Sequence, residues 1–528
     1  MFRAALLASA VLLTAPPAAH AQKDLTITFG EDSTADRTYD PRVTQSRHET
    51  QVIVQIFDQL VASDENNKLY PGLAKSWAVA PDGLSVTFQL REGVTFHDGT
   101  PFNAEAVAFN FDSIQDPKLG SQGAIDELGP YAGSEIIGPY EIKVKYKRPY
   151  GAAVGMLSQT DLSIVSPTAA KKLGNDGFAE HPVGTGPFKF VSWERGQKVV
   201  MERNDAYNWA PEFMEHQGPS AVARVVSRFI GDASTRVAAL EAGEIDMSDF
   251  TPILDMKRFA DDPKFKVLIG SATGLPFGLT LNSSHPIFDD IRVRKAFALG
   301  LDRPALADNL FFGMIKPAFG PISTTTPTYW PGVEKYYQYD PKAAMALLDE
   351  AGWKPGPDGI RVKNGQRLEA NYHALSVIEP DTGVEVQAQL RKVGFDIKVE
   401  IITLAKRDDL AMNNQDSIQT LRWLSGDPSC LEVMFHSRNI PSPGHAKFNW
   451  PHLSNPDLDS LLEKAAGVSD PQQRNDLYAQ AQKMIMDSAV WVPLHDQVNT
   501  IAYRANRTGY RWARTQWNVR MYEVTEAK

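Results

Sequence analysis

The side chains that most often carry catalysis are present in this sequence, but their spacing defines no catalytic or phosphate-binding motif. His48-Glu49 lacks the second histidine of a zinc-protease motif, and no P-loop or nucleophile-elbow sequence occurs. Gly184-Thr185-Gly186 precedes Pro187, which has no N–H to offer a phosphate, so a tight turn between strands is the better interpretation. The 11 histidines show no paired spacing that requires a metal. The motifs therefore give no positive evidence for catalysis, although many enzymes show none.

The chain has 1 cysteine, Cys430, which excludes an internal disulfide. A catalytic thiol is one interpretation, but a lone cysteine is more often a small buried hydrophobe. Because Cys430 lies far from the N-terminus, it does not provide a lipid-bearing cysteine there.

The first 21 residues have the pattern of an export signal. They contain one charge, Arg3, an apolar run over residues 4–13 and the small-x-small sequence Ala19-His20-Ala21. This pattern predicts a secretory signal peptide at 1–21 that is cleaved after Ala21; a buried N-terminal helix is the alternative. No later uncharged apolar stretch reaches about 18 residues. We therefore expect an exported protein without lipid anchor or transmembrane helix, which in a bacterium means the periplasm.

Length and charge limit the classes of protein further. A single core stops growing near about 250–300 residues, so a chain of 528 residues is expected to form two or more domains. Its 43% hydrophobic and 22% charged residues are those of an ordinary globular protein. The formal net charge of -10 disfavours nucleic acid and anionic membranes as partners, because both require a basic surface.

Strand and helix patterns alternate along the chain, which predicts the α/β class. Asp340-Pro341, Asn455-Pro456 and Asp470-Pro471 each place an N-cap residue before a proline at the first helical position, so each predicts a helix start. A fourth helix is expected from Asp232 to the glycine at 243. The segments with period-two alternation, each predicted to be a strand, are 25–30, 85–90, 140–146, 225–230 and 395–401.

One stretch is far more specific than these patterns. It consists of LYPGLAKSW at 69–77, PDG at 81–83 and FQLREGVTFHDGTPF at 88–102. This stretch, with several later blocks in fixed order, resembles the peptide/nickel family of ABC-transporter solute-binding proteins, family 5. Its residues Trp77, Phe88 and Phe96 are best interpreted as core, and its glycines as turns between strands. The later blocks are 182–188, 202–207, 239–246, 291–297 and 339–343.

The resemblance implies a two-lobe periplasmic-binding-protein fold of type II, in the large cluster C, with an extra subdomain in the first lobe. Residues 277–282 resemble the strand that crosses into the second lobe, and the chain is expected to return near 493–495. Mapped on this sequence, the lobe I core comprises 22–50, 185–275 and 497–528, the extra subdomain 51–184, and lobe II 276–496.

The same resemblance implies a receptor rather than an enzyme. A peptide-like solute would bind between the lobes, which close around it and deliver it to an inner-membrane ABC permease with its ATPase subunits. A monomer without cofactor, bound metal or nucleic acid is expected. A metal chelate, glutathione, or an opine-like or sugar-phosphate conjugate are alternative solutes. A secreted hydrolase is the alternative of another class.

The resemblance also points to a loop that contains Trp423 and an Asp-Pro step. In peptide binders of the family, an acidic residue of this loop pairs with the ligand's ammonium group, a role that falls to Asp427. Trp423 would stack on the ligand or form a wall, beside Arg422. The alternative interpretation is an N-cap aspartate and a core tryptophan.

The remaining candidate contacts come from three other places. The family's first-lobe contacts fall on Gln45, Arg47 and His48, where Arg47 would clamp a carboxylate or phosphate unless it is merely a solvated arginine. Asp161 lies near the position of a carboxylate-binding arginine in nickel-chelate binders; no arginine occurs at 159–161, which disfavours a nickel chelate. His445 matches the loop of a metal-approaching histidine, with a surface histidine as the alternative.

Overall fold

The computed structural model describes residues 25–33, 36–44, 46–375, 379–513 and 518–527. The predicted signal peptide and Gln45 lie outside the described residues. Among the described residues, no helix is both long and apolar enough to cross a membrane.

The predicted helix starts are confirmed. Asp340 accepts a hydrogen bond from the Ala343 N–H at 2.9 Å, and Asp470 accepts one from the Gln473 N–H at 2.8 Å. Each aspartate thus caps a helix whose first residue is proline. The helices of the described residues are α1 (Arg47–Ile56), α2 (Ala104–Ile114), α3 (Gly123–Leu128), α4 (Ala153–Met156), α5 (Pro167–Glu180), α6 (Ala233–Ala242), α7 (Ile253–Ala260), α8 (Ile291–Leu299), α9 (Arg303–Phe311), α10 (Pro341–Glu350), α11 (Glu379–Arg391), α12 (Leu404–Met412), α13 (Cys430–Phe435), α14 (Pro456–Gly467) and α15 (Pro471–Ser488), with short 3-10 helices at Thr160–Leu162, Pro331–Lys335 and Ser437–Asn439.

The five predicted strands are also confirmed, with ends that shift by three residues at most. Strands therefore alternate with helices, as the α/β class requires. The strands of the described residues are β1 (Leu25–Glu31), β2 (Val61–Ser63), β3 (Leu69–Pro71), β4 (Ala74–Val79), β5 (Ser85–Leu90), β6 (Tyr131–Gly138), β7 (Glu141–Tyr146), β8 (Phe188–Glu194), β9 (Lys198–Arg203), β10 (Val222–Phe229), β11 (Met247–Ser248), β12 (Phe265–Ser271), β13 (Gly274–Leu281), β14 (Lys354–Pro355), β15 (Arg361–Lys363), β16 (Gln366–Arg367), β17 (Glu369–Leu375), β18 (Asp396–Ile402), β19 (Ile418–Leu424), β20 (Trp491–His495), β21 (Val498–Arg504), β22 (Arg507–Thr508), β23 (Arg511–Ala513), β24 (Asn518–Arg520) and β25 (Thr525–Glu526).

Two large sheets organise the molecule. The first has the order β12-β21-β11-β1-β10-β9-β8, with β1 parallel to both β10 and β11. The second has the order β18-β17-β19-β13-β20, with β17 parallel to β18 and β19. In an open α/β sheet, ligands bind beyond the carboxyl ends of parallel strands, so the ends of β1 and β19 are the places to look for a site.

The chain passes between the two sheets at two places. Consecutive strands β12 and β13 belong to different sheets, and so do β20 and β21. Buried aromatic and aliphatic side chains form separate cores on the two sheets. The exact boundaries of lobes and subdomain, assigned above from the resemblance, stay a prediction.

A four-stranded sheet, β4-β5-β7-β6, carries the most specific sequence block. Phe88 and Phe96 are buried in one core with the helix α2, as expected, whereas Trp77 is half-buried against its edge. Gly83 and Gly99 adopt φ of 68° and 81°, values that favour glycine, at the expected turns. This block is a folding unit.

The alternation in β5 yields a stability prediction. Phe88 is fully buried and the next residue, Gln89, is exposed. We expect Phe88→Ala to lower the free energy of unfolding by about 3–5 kcal/mol, because it removes buried apolar surface and leaves a cavity. Gln89→Ala is the matched control and should change it by less than about 0.5 kcal/mol. Urea unfolding of both variants measures the difference, and equal effects would contradict the assigned facing of β5.

Candidate ligand-binding site

The loop that follows β19 holds a buried carboxylate. Asp427 is only 5% exposed. Its Oδ1 accepts hydrogen bonds from Arg474 Nη2 at 2.8 Å and from the Ser429 N–H at 2.8 Å. Both of these bonds fall on Oδ1, and neither reaches Oδ2; the Ser429 side chain also stabilises the carboxylate. Asp427 is not itself the N-cap of α13, a position that Ser429 occupies.

Asp427 is charged despite its burial. Burial by itself raises the pKa of the carboxyl, but the Arg474 guanidinium and the Ser429 hydrogen bonds outweigh it and hold the pKa below its usual value. The site therefore presents an anion with one oxygen left for a further donor.

Two aromatic rings meet at the end of the strand that leads to this carboxylate. Trp423, near the end of β19, is half-buried, and its ring meets that of Phe448 edge to face at 4.9 Å. Phe448 is 37% exposed, which is high for a large apolar side chain. Arg422 is exposed at the same strand end. The two rings form a partly exposed apolar surface at the end of β19, the strand that leads to the Asp427 loop.

A segment from the predicted extra subdomain lies directly against the Asp427 loop. A Cβ on Gly426 would approach Gln159 Nε2 to 2.2 Å, so the two segments touch there. Burial, and next the charge of Asp427, raise the pKa of the Tyr150 phenol well above its usual value. The Gly151 N–H donates to the Ala466 carbonyl at 2.9 Å. Asp427 thus lies where two parts of the chain that are far apart in sequence meet.

Arg47 and His48 form a second group, at the start of α1. Arg47 Nη1 pairs with Asp249 Oδ2 at 3.1 Å, and the guanidinium lies 3.7 Å from the centre of the Phe250 ring. Arg47 Nη2 is also 3.3 Å from His48 Nδ1. Burial, and next the Arg47 charge, lower the pKa of His48 to about 4, so this histidine is neutral at physiological pH. Arg47 is therefore not a solvated arginine, and its charge is already matched by Asp249.

The other predicted residues have different surroundings. Asp161 is buried in the 3-10 helix Thr160–Leu162, which lies near α1. Its charge, after burial, raises the pKa of Glu127, so this region is acidic rather than basic. His445 is exposed in a turn closed by hydrogen bonds with the Ser442 backbone, and no described contact joins it to Asp427.

Several residues at these two groups were not expected from the sequence. Arg474, Tyr150 and Phe448 carry no motif, and only the fold brings them to the Asp427 loop. Glu31 ends β1, is fully buried, and neither of its carboxyl oxygens has a hydrogen-bond partner among the described residues. Burial, and next the charge of Asp36, raise its pKa well above its usual value. In the sequence, Glu31 could have been noticed only because a charged residue stands at the end of an apolar strand.

Two α/β units and two chain crossings between them define the class of two-lobe periplasmic binding proteins. The profile of bacterial extracellular solute-binding proteins, family 5, middle region, matches residues 68–440, more than half of the chain. The chain belongs to this family, whose members are binding components of ABC importers rather than enzymes.

Individual relatives agree with this assignment. The glutathione-binding protein GsiB of Shigella flexneri is 30% identical over 505 residues, which cover 93% of this chain and 92% of GsiB. Among solved structures, NikA from Brucella suis in complex with Fe(III)-EDTA is 25% identical with a TM-score of 0.83, covering 96% of this chain and 100% of NikA. The periplasmic binding protein DppA from Helicobacter pylori in complex with the peptide STSA is 26% identical with a TM-score of 0.73, covering 95% of this chain and 98% of DppA.

The glycine contact beside the site is open to a direct test. A Cβ at Gly151 would lie 2.0 Å from the Val468 carbonyl oxygen, which is backbone and cannot rotate away. We expect Gly151→Ala to break the Gly151–Ala466 hydrogen bond and to speed amide hydrogen exchange around residue 151. Gly155→Ala is the control, because no atom lies within 4 Å of its added Cβ. Unchanged protection in Gly151→Ala would mean that this contact is not formed in solution.

Proposed function

We propose that this protein captures a peptide-like solute with a free ammonium group and that Asp427 binds that group. The observation that carries the proposal is a charged carboxylate in a residue that is 5% exposed, whose bonds from Arg474 and the Ser429 N–H both fall on Oδ1 and leave Oδ2 outside them. An ammonium group is the donor that would bind this buried carboxylate most strongly, because hydrogen bonds between charged groups are stronger than those between neutral groups.

The flanking side chains support a ligand that is amphipathic. Trp423 and Phe448 offer ring faces and edges to an apolar side chain. Two relatives are named for compatible ligands: GsiB for glutathione and DppA for the peptide with which it was crystallised. Both ligands are peptides that carry a free α-ammonium group.

The alternative solutes find less support in the site. An opine-like or sugar-phosphate conjugate needs a free cationic clamp, whereas Arg47 is paired with Asp249. An anionic metal chelate needs one too, and Asp161 instead adds negative charge where nickel-chelate binders would place an arginine. His445 lies exposed in its own turn. A peptide-like solute, glutathione included, is therefore the better match.

The transport cycle follows from the two-lobe class. A solute that contacts both sides favours the closed state by its differential affinity for that state. Closure removes water and strengthens the Asp427–ammonium interaction. We propose that the protein, exported by its signal peptide to the periplasm and monomeric, then delivers the unchanged solute to an inner-membrane permease driven by ATPase subunits.

The assignment of Asp427 predicts a selective loss. Asp427→Asn should weaken binding of peptides with a free ammonium group by about 10- to 100-fold, because a hydrogen bond to a charged group contributes about 1.5–3 kcal/mol. Isothermal titration calorimetry with a short-peptide panel and its N-acetylated counterparts provides the measurement. Native mass spectrometry of the purified protein would show which solute it carries.

Asp476→Asn is the matched control, since Asp476 is exposed on α15, one half-turn from Arg474. It should bind every peptide as the wild type does. Equal affinity of wild type and Asp427→Asn for free-amine peptides would overturn the role of Asp427.

A further inference from the structure

We propose that Arg474 is a positioning residue for the solute's ammonium group: it holds one oxygen of Asp427 and leaves the other for the ligand. This inference rests on the proposed function. Nothing in the sequence singles out Arg474, which stands in the first turn of α15, 47 residues away from Asp427 in the chain.

The contact between Arg474 and Asp427 is a buried ion pair that holds the carboxylate in place, not an ion pair on the surface. The Arg474 side chain is 11% exposed and that of Asp427 is 8% exposed. A single hydrogen bond of 2.8 Å joins Arg474 Nη2 to Asp427 Oδ1, and Asp427 is the acidic partner of Arg474 among the described residues. A bidentate guanidinium would occupy both carboxylate oxygens, whereas this end-on contact occupies one. The Arg474 guanidinium is also 5.1 Å from the centre of the Tyr478 ring, which fixes its position from the other side.

The charges around Asp427 make Arg474 indispensable to its ionisation. The titratable groups that face the carboxyl are Arg474 and Tyr478 of α15, Cys430 of α13, and Tyr150 from the opposite side of the site. Burial is the main cause that raises the pKa of each of the two phenols and of the thiol, so all three are neutral at physiological pH. Arg474 is thus the one cation in this set of described groups.

The direction in which the loss of Arg474 shifts the pKa of Asp427 can be predicted. Without Arg474, burial is opposed only by hydrogen bonds from Ser429, and the pKa of Asp427 shifts upward. A protonated carboxyl no longer attracts an ammonium group. In the variant, the affinity for the ligand should then fall as the pH is lowered. The wild type should not show this fall in the same pH range, because its Asp427 stays ionised there.

The experiment compares Arg474→Met, Arg474→Lys and Arg438→Met with the wild type in titrations of a free-amine peptide between pH 5 and pH 8. We expect Arg474→Met to bind more weakly than the wild type, with a loss that grows toward pH 5 by up to about tenfold per pH unit, since the ionised fraction of a carboxyl falls tenfold for each pH unit below its pKa. Arg474→Lys should restore most of the affinity and flatten the pH profile. Arg438→Met, which removes an arginine paired with Glu432 and Glu463, should match the wild type.

Two results would overturn the proposal. Tighter peptide binding by Arg474→Met would show that the guanidinium competes with the ligand for Asp427. A loss that is constant across pH and is not rescued by Arg474→Lys would show a purely structural role.

A second measurement needs no peptide and so separates this inference from the proposed function. In the wild type, Asp427→Asn should lower the midpoint of thermal unfolding at pH 7, because it breaks a buried ion pair. In the Arg474→Met background the same change should raise the midpoint, because it removes a buried carboxyl without a counter-charge. The same effect in both backgrounds would refute the coupling, whereas opposite effects in a protein that binds no peptide would refute only the ligand assignment.

Discussion

A carboxylate that is withdrawn from water must be matched by a positive charge or become protonated, and the candidate ligand-binding site is organised around that constraint. The charge of Asp427 is matched by Arg474, which lies in the first turn of α15, the helix that Asp470 caps. Glu31 shows the opposite outcome, since burial and the charge of Asp36 raise its pKa and outweigh the opposing charge of Arg47. The pKa values of these two carboxyls are therefore shifted in opposite directions because their neighbours differ.

The fold explains why the charged groups gather where they do. Glu31 ends β1 and Asp249 follows β11, and these parallel strands lie side by side in the first sheet. Arg47 reaches Asp249 from the first turn of α1, across a sequence separation of 202 residues. In the second sheet, β19 ends at the loop that carries Asp427. Both groups thus lie beyond the carboxyl ends of strands, the position at which an open α/β sheet offers a crevice.

Local chemistry was predictable from the sequence, and long-range pairing was not. An aspartate before a proline marks a helix start through its own backbone contacts, so α10 and α15 could be placed to within a residue. The alternation around Phe88 likewise identified the buried face of β5. Asp427 was identified by a family resemblance, but its partner Arg474 and its neighbour Tyr150 depend on how distant segments pack. The pairing of Arg47 with Asp249 escaped prediction for the same reason, since spacing along the chain carries no signal for it.

The lone thiol has a practical consequence for anyone who wishes to observe this molecule at work. Cys430 is 3% exposed at the first position of α13, and burial raises its pKa well above its usual value. A maleimide dye reacts with thiolates that solvent can reach, so the native sulfur is shielded from such a reagent. A pair of cysteines, one introduced on the outer surface of each of the two sheet-containing units, could carry a donor and an acceptor dye without prior removal of Cys430. Single-molecule energy transfer between the dyes would then show whether the distance between the two units changes when a solute is added.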